Sequence, residues 1–220
     1  MTKRILAEAL GALLLTAGVI GSGIMAERLA GGNAALALLA NTAATVAVLA
    51  TLIATLGPIS GAHFNPVISA VALYQGQIDA KTAAAYSMTQ CAACCAGAAL
   101  ANTMFELPVV QFSTHMRSGG AQWLSEFVAT AGLVLVAFRS PSVDVAAWRV
   151  SLWIGAAYWF TASTSFANPA ITLGRSLSDT FAGIRPADAP GFIGAQVAGA
   201  IAGVVLLRAL AARATETRVT

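Results

Sequence analysis

The sequence predicts an all-α membrane protein, with six transmembrane helices plus two re-entrant half-helices arranged as an inverted internal repeat. Three observations carry this prediction. The chain of 220 residues is 58% hydrophobic and only 10% charged, with a mean hydropathy of +0.77, which is too apolar for a soluble domain of this size. Six stretches, at 5–25, 34–56, 82–103, 122–138, 146–164 and 189–212, are long enough to span a bilayer with some tilt. Two shorter apolar segments each open on Asn-Pro, as Asn65-Pro66-Val67 and Asn168-Pro169-Ala170.

The first stretch follows Met1-Thr2-Lys3-Arg4 in the manner of a signal peptide. Its acidic Glu8, its length and the lack of a clear cleavage pattern favour a retained helix. After the second stretch comes the first Asn-Pro. Proline at the opening position of a helix forfeits no hydrogen bond, and the preceding Asn is a favoured cap. The segment from Pro66 to Gln75, closed by Gly76, spans roughly 15 Å, about half of a hydrocarbon core. Such a helix leaves its first N–H groups unpaired inside the bilayer, which is tolerable only where it is buried in protein or lines a watery cavity. The third stretch holds all three cysteines, Cys91, Cys94 and Cys95, so no disulfide framework exists. Among Ala and Gly they read as small residues at a close helix contact, with a soft-metal or metalloid thiol site as the alternative. Residues 104–121, with Pro108 and Ser118-Gly119-Gly120, read as an external loop. The fourth and fifth stretches follow, then a second half-helix from Pro169 to about Ser178, then the last span.

The two halves superpose in sequence. Glu8 matches Glu126, Asn65-Pro66 matches Asn168-Pro169, Gln90 matches Gln196, and Gly97 and Gly203 each lie seven residues beyond the Gln. We read one domain, 1–220, built of repeats 1–104 and 121–212. Three spans per repeat invert the second against the first, so the half-helices enter from opposite faces and meet near the middle. Lys3, Arg4, Lys81, Arg139, Arg149, Arg208, Arg213 and Arg218 then fall on the side of the termini, against Arg28, Arg117, Arg175 and Arg185 opposite. Eight against four predicts cytoplasmic termini, and a net charge of +3 calls for no nucleic-acid partner.

Two helix N-termini aimed at the midplane repel cations, protons included, and leave neutral molecules unaffected. The amides of Asn65 and Asn168 can donate hydrogen bonds to the oxygen of a passing water or polyol. Glu8 and Glu126 are expensive at bilayer depth. Either they accept hydrogen bonds from the backbone leading to each half-helix, with Gln90 and Gln196 serving similarly, or they relay protons. His63 is a pH-sensing gate or a pore-facing, loop-packing residue. The sequence shows no HExxH, no serine-based dyad and no cofactor fingerprint, so neither an enzyme nor a cofactor is expected.

The segments Ser60-Gly61-Ala62-His63-Phe64-Asn65-Pro66-Val67 and Phe166-Ala167-Asn168-Pro169-Ala170, with the paired Glu and Gln, resemble the aquaporin and aquaglyceroporin family over essentially the whole chain. The resemblance implies one pore per subunit and a homotetramer. Val67 replaces the usual Ala. The arginine that usually follows the second motif is replaced by Ile171. Carried over by spacing, the other constriction positions are Thr45, twenty residues before Asn65, and Ala156 and Ser165, twelve and three before Asn168. A constriction of Thr, Ala, Ser and Ile has neither arginine nor aromatic, which predicts a wide aperture. Arg175, one turn after Ile171, is either a displaced charge in the outer vestibule, or a residue that packs at the outer interface or pairs with Asp179 at i+4. Residues 176–184 and the missing arginine look like bacterial aquaglyceroporins associated with arsenic-resistance operons. The expected function is a passive inner-membrane channel for water, glycerol-like polyols and arsenous acid or methylated arsenicals. A water-selective channel and a proton-coupled carrier using Glu8 and Glu126 are the alternatives.

Overall fold

The computed structural model describes residues 1–216, with side chains through Ala211. The side chain of Arg213 and the whole of Arg218 lie outside the described residues. Helices run in the order α1 Thr2–Leu29, α2 Ala34–Ser60, α3 Pro66–Tyr74, α4 Ala80–Met104, α5 Gly120–Phe138, α6 Val143–Phe160, α7 Pro169–Arg175 and α8 Ala189–Glu216, with one 3₁₀ turn at Pro186–Asp188. Side-chain caps set several starts. Asn33 accepts from Leu36 N at 3.1 Å, Asp79 from Thr82 N at 2.6 Å and Ser142 from Val145 N at 3.3 Å.

The fold is six transmembrane helices plus the two re-entrant half-helices α3 and α7. By length and hydropathy alone, α1, α2, α5 and the segment carrying α8 are apolar enough to cross a membrane. The other two spans, α4 and α6, are more polar. In α4, Thr82, Gln90 and Asn102 are buried inward, and α6 carries Asp144 and Arg149. Their place in the bundle comes from packing: α4 lies against α1 and α7, and α6 against α2 and α5.

The contacts repeat. The α1–α4 pair corresponds to α5–α8, α3–α4 to α7–α8, and α3–α8 to α4–α7. Gly97 of α4 sits on the Leu13 carbonyl of α1, and Gly203 of α8 would place a Cβ 2.9 Å from the Ala131 carbonyl of α5. Each half-helix thus packs on a long helix of its own repeat and one of the other.

Two boundaries differ from the sequence reading. The apolar run to 164 stays helical only to Phe160, because Thr161 is extended and residues 161–167 feed the second half-helix. That half-helix ends at Arg175, three residues early, where Ser176, Leu177 and the segment beyond turn back along the 105–119 connection. Ser113 N donates to Ser176 O at 3.0 Å and Arg185 N to His115 O at 2.8 Å, so the connection straps the second half-helix down.

Candidate functional site

The segments ahead of both half-helices have the same unusual backbone. Ala62 and Phe64 have φ of 50° and 48°, and Ser165 and Ala167 both have φ of 48°, three residues and one residue before each Asn. Such left-handed conformations cost on the order of 1–3 kcal/mol each and persist only where the surroundings fix them. A buried acid fixes each one. Glu8 Oε1 accepts from Ser60 Oγ at 2.7 Å and His63 N at 3.0 Å, while Oε2 accepts from Phe64 N and Gln90 Nε2, both at 2.7 Å. Glu126 Oε1 accepts from Phe166 N at 2.8 Å, and Oε2 from Ala167 N at 2.8 Å and Gln196 Nε2 at 2.6 Å. The two glutamine amides reach on to Ser69 Oγ at 3.1 Å and Thr172 Oγ1 at 3.0 Å.

The half-helices meet through crossed bonds. Asn65 Oδ1 caps its own helix at Val67 N, 3.1 Å, and Asn168 Oδ1 caps at Ala170 N and Ile171 N, 2.9 and 3.3 Å. Each side-chain amide then donates to the opposite repeat: Asn65 Nδ2 to Ala167 O and Asn168 Nδ2 to Phe64 O, both at 2.8 Å. A side-chain amide has two N–H groups, so each Asn keeps one beyond the crossed bond. Pro66 and Pro169 occupy the first helical position, while Val67 and Ala170 are buried behind them.

Both Asn residues border a cavity of about 360 Å³. Its apolar wall includes Leu49, Ile53, Leu133, Val150, Ile154 and Ile171, and its polar wall includes Thr45, His63, Tyr158, Ser165 and Arg175. His63 is half-buried, with Nδ1 3.0 Å from Ser69 Oγ and its ring edge-on to Tyr86.

Of the four expected constriction residues, Thr45, Ser165 and Ile171 line the cavity and Ala156 does not. Ala156 is exposed on the outer face of α6, in a shallow groove with Leu152 and Trp153. The reason is helical phase. Val143, Ala146, Val150 and Ile154 line the cavity at steps of three or four, and the next residue on that face is Tyr158. Tyr158 lines the cavity from this helix where Ala156 does not, with its hydroxyl 3.3 Å from Thr45 Oγ1. Ser165 Oγ is buried with no protein partner.

Arg175 also lines the cavity, and of its alternatives the pairing with Asp179 does not occur among the ion pairs of the described residues. Asp179 Oδ1 instead accepts from Thr114 N at 2.7 Å and Thr114 Oγ1 at 3.0 Å, joining the strap. The Arg175 guanidinium donates through Nε to the Ala182 carbonyl and stacks on Phe166, its Cζ 3.3 Å from the ring centroid. The cavity lining therefore includes both an aromatic, Tyr158, and a guanidinium, Arg175, neither at the positions that spacing indicated for the constriction.

Of the cysteines, Cys94 is buried at the α1 contact, Sγ 3.7 Å from Ala12 O, while Cys91 and Cys95 are half-buried. No group of three or more metal-ligating side chains occurs among the described residues.

Residues 1–144 match the family model described as major intrinsic protein. The chain belongs to the major intrinsic protein family. It is 51% identical over 213 residues to aquaglyceroporin AqpS of Rhizobium meliloti (strain 1021), covering 94% of this chain and 90% of that one. The fold is similar to the X-ray structure of the aquaglyceroporin from Plasmodium falciparum, with a TM-score of 0.70, 19% identity and 93% of each chain covered. In this major intrinsic protein the residues that sequence reasoning missed are Tyr158, Phe166 and Arg117. For Tyr158 apolar spacing gave no decision, because α6 is apolar on its exposed face as well, at Trp148, Leu152 and Trp159. For Phe166 and Arg117 the decisive partners come from distant loops, which spacing does not reveal.

Proposed function

We propose that this major intrinsic protein is a passive channel for small uncharged solutes: water, glycerol-like polyols, and arsenous acid or methylated arsenicals. The observation that carries the reading is the crossed Asn65–Asn168 junction beside the cavity. Each Asn offers one remaining N–H to a solute oxygen, and two converging helix N-termini make the same point hostile to cations. The lining supports polyols in particular. The hydroxyl-bearing residues Thr45 and Tyr158 line the same space as Ile154 and Ile171, a mixed polar and apolar lining suited to a molecule that carries both oxygens and carbon. The relative with 51% identity is named an aquaglyceroporin, which agrees with this range.

Glu8 and Glu126 serve as structural braces in this reading. Every carboxyl oxygen accepts a hydrogen bond, and neither residue borders the cavity, which argues against a proton-coupled carrier. The exposed leucines and tryptophans of the bundle, such as Leu6, Leu36, Trp148 and Leu152, suit lipid and sister subunits. We place both termini in the cytoplasm of a bacterial cell, in the inner membrane, as a homotetramer.

Stopped-flow light scattering on proteoliposomes tests the reading. Re-swelling under glycerol or arsenous acid gradients is expected to be rapid and linear in solute concentration. Because Tyr158 and Arg175 narrow the lining, the second reading is a water-selective channel. Fast water efflux without solute entry would establish it, and saturating, proton-driven uptake would return the carrier.

A further inference from the structure

We propose that Arg175 is the specificity-determining cation of this pore, replacing a guanidinium at position 171, and that Phe166 and Arg117 hold it in position. This rests on the channel reading above. The first observation is direction. Side chains on a helix lean back over the preceding turn, so a long residue at 175 reaches toward the level of Ile171 and the segment ahead of Asn168. The stack on Phe166, three residues before α7 begins, shows that it does so.

The second observation is the uncompensated charge. Arg175 is 2% exposed, and among the described residues the one ion pair joins Arg185 to Asp188. A buried cation without a carboxylate is strongly disfavoured unless other oxygens satisfy it. One of its five N–H donors goes to Ala182 O, and the cavity it borders is where water or solute oxygens meet the rest.

The third observation is the bracket. Phe166 is buried, edge-on to Phe192 with centroids 5.1 Å apart, and has Arg117 Cζ 5.2 Å from its ring centroid. Arg117 is itself clamped by three carbonyls, donating to Gly183 O at 2.8 Å, Ser163 O at 3.2 Å and Phe181 O at 3.3 Å. These bonds tie the 105–119 connection to both sides of α7. Phe166 is thus immobilised as a platform with the Arg175 Cζ over its ring, a cation–π contact. An arginine at 171 would sit one turn from Arg175 on the same face, and the two like charges would repel. Ile171 and Arg175 therefore read as one exchange of position.

The test uses urea and guanidinium, planar probes of nearly the same shape that differ in charge, on proteoliposomes of the full chain. The wild type is expected to admit urea and exclude guanidinium. Arg175→Leu is expected to raise the guanidinium-to-urea flux ratio on the order of tenfold or more, because a unit charge a few ångströms away in a partly buried site outweighs thermal energy several-fold. Arg175→Lys should keep the ratio low, and the double variant Ile171→Arg with Arg175→Leu should restore it. Phe166→Leu removes the platform without removing charge and should raise the ratio part-way, with Phe166→Tyr returning it. An Arg175→Leu channel that still passes urea and still excludes guanidinium would overturn the proposal. If Arg175→Leu does not fold, an unchanged ratio in Phe166→Leu together with no rescue pattern at residue 166 overturns it instead. Wild-type vesicles no more permeable than empty ones to water and urea would sink the channel reading itself, a result separate from either.

Discussion

The two half-helix junctions are alike at the midplane and unlike at their outer ends. In each, a Glu and a Gln hold two left-handed residues, and a hydroxyl four residues after the Asn completes the network, Ser69 in one repeat and Thr172 in the other. Each also keeps an edge-on ring pair: His63 with Tyr86, 5.4 Å apart at 77°, and Phe166 with Phe192, 5.1 Å apart at 71°. His63 and Phe166 both lie two residues before the Asn, and Tyr86 and Phe192 four before the Gln. Beyond that ring the repeats part. In the first, His63 turns to Ser69, and the segment after α3 closes through Gly76 at φ 72° into an exposed turn. In the second, two buried arginines lie over the Phe166 ring, which sits near the strapped loop. The difference teaches a division of labour: the duplicated parts hold the half-helices together, and the unduplicated parts are the ones to which the selectivity proposed above is assigned.

The largest expected effect breaks the shared part. Glu8→Ala or Glu126→Ala leaves at least three buried donors unpaired, and the loss of folded protein should correspond to about 3–5 kcal/mol in either repeat. Thermal unfolding in detergent checks this, and a large inequality between the two would refute their equivalence. Gly97→Ala should cost about 1–3 kcal/mol, because the added Cβ meets the Leu13 backbone carbonyl, which cannot rotate away as a side chain can. Unfolding of Gly97→Ala beside Gly203→Ala tells whether the α1–α4 and α5–α8 contacts are equally tight.

A third variant sharpens the midplane. Asn168→Asp keeps the cap and introduces a negative charge where the two helix N-termini converge, so if that point is the cation barrier proposed above, proton or sodium leak should rise on the order of tenfold, about 1.4 kcal/mol of barrier. A dye-reported proton flux that stays at the wild-type level would place the barrier elsewhere. The smallest effect tests the unlike part. His63→Phe copies the second repeat's ring into the first and loses the bond to Ser69, which should cost about 1 kcal/mol and leave guanidinium exclusion unchanged. A changed exclusion would mean that the first repeat also selects.

Most of the fold was legible because each element has a local cause. Asn-Pro starts a helix wherever it occurs, Gly76 ends one, and six apolar runs give six spans, with α4 and α6 recognisable by length though too polar on average to stand alone. The pairing of Glu8 with the loop at 60–64 was also legible, since an acid at that depth needs donors and the half-helix segment has them. The cavity lining was legible only in part, with Thr45, Ser165 and Ile171 reached by spacing and the α6 residue missed. Counting twelve residues back from Asn168 reached Ala156, yet a helix advances 100° per residue, and two residues' difference turns a side chain from the cavity to the exterior.

By itself the sequence determined the spans, the inverted repeat, the two caps and the acids beneath them, since these follow from hydropathy, helix-terminus chemistry and the cost of buried charge. Only the tertiary structure decided which face of α6 lines the cavity, that Asp179 bonds to Thr114 rather than Arg175, and that Arg175 lies on Phe166 with Arg117 near the same ring. Those outcomes depend on helix rotation and on loops distant in the chain meeting in space. No local preference encodes either, so they appear only once the bundle is packed.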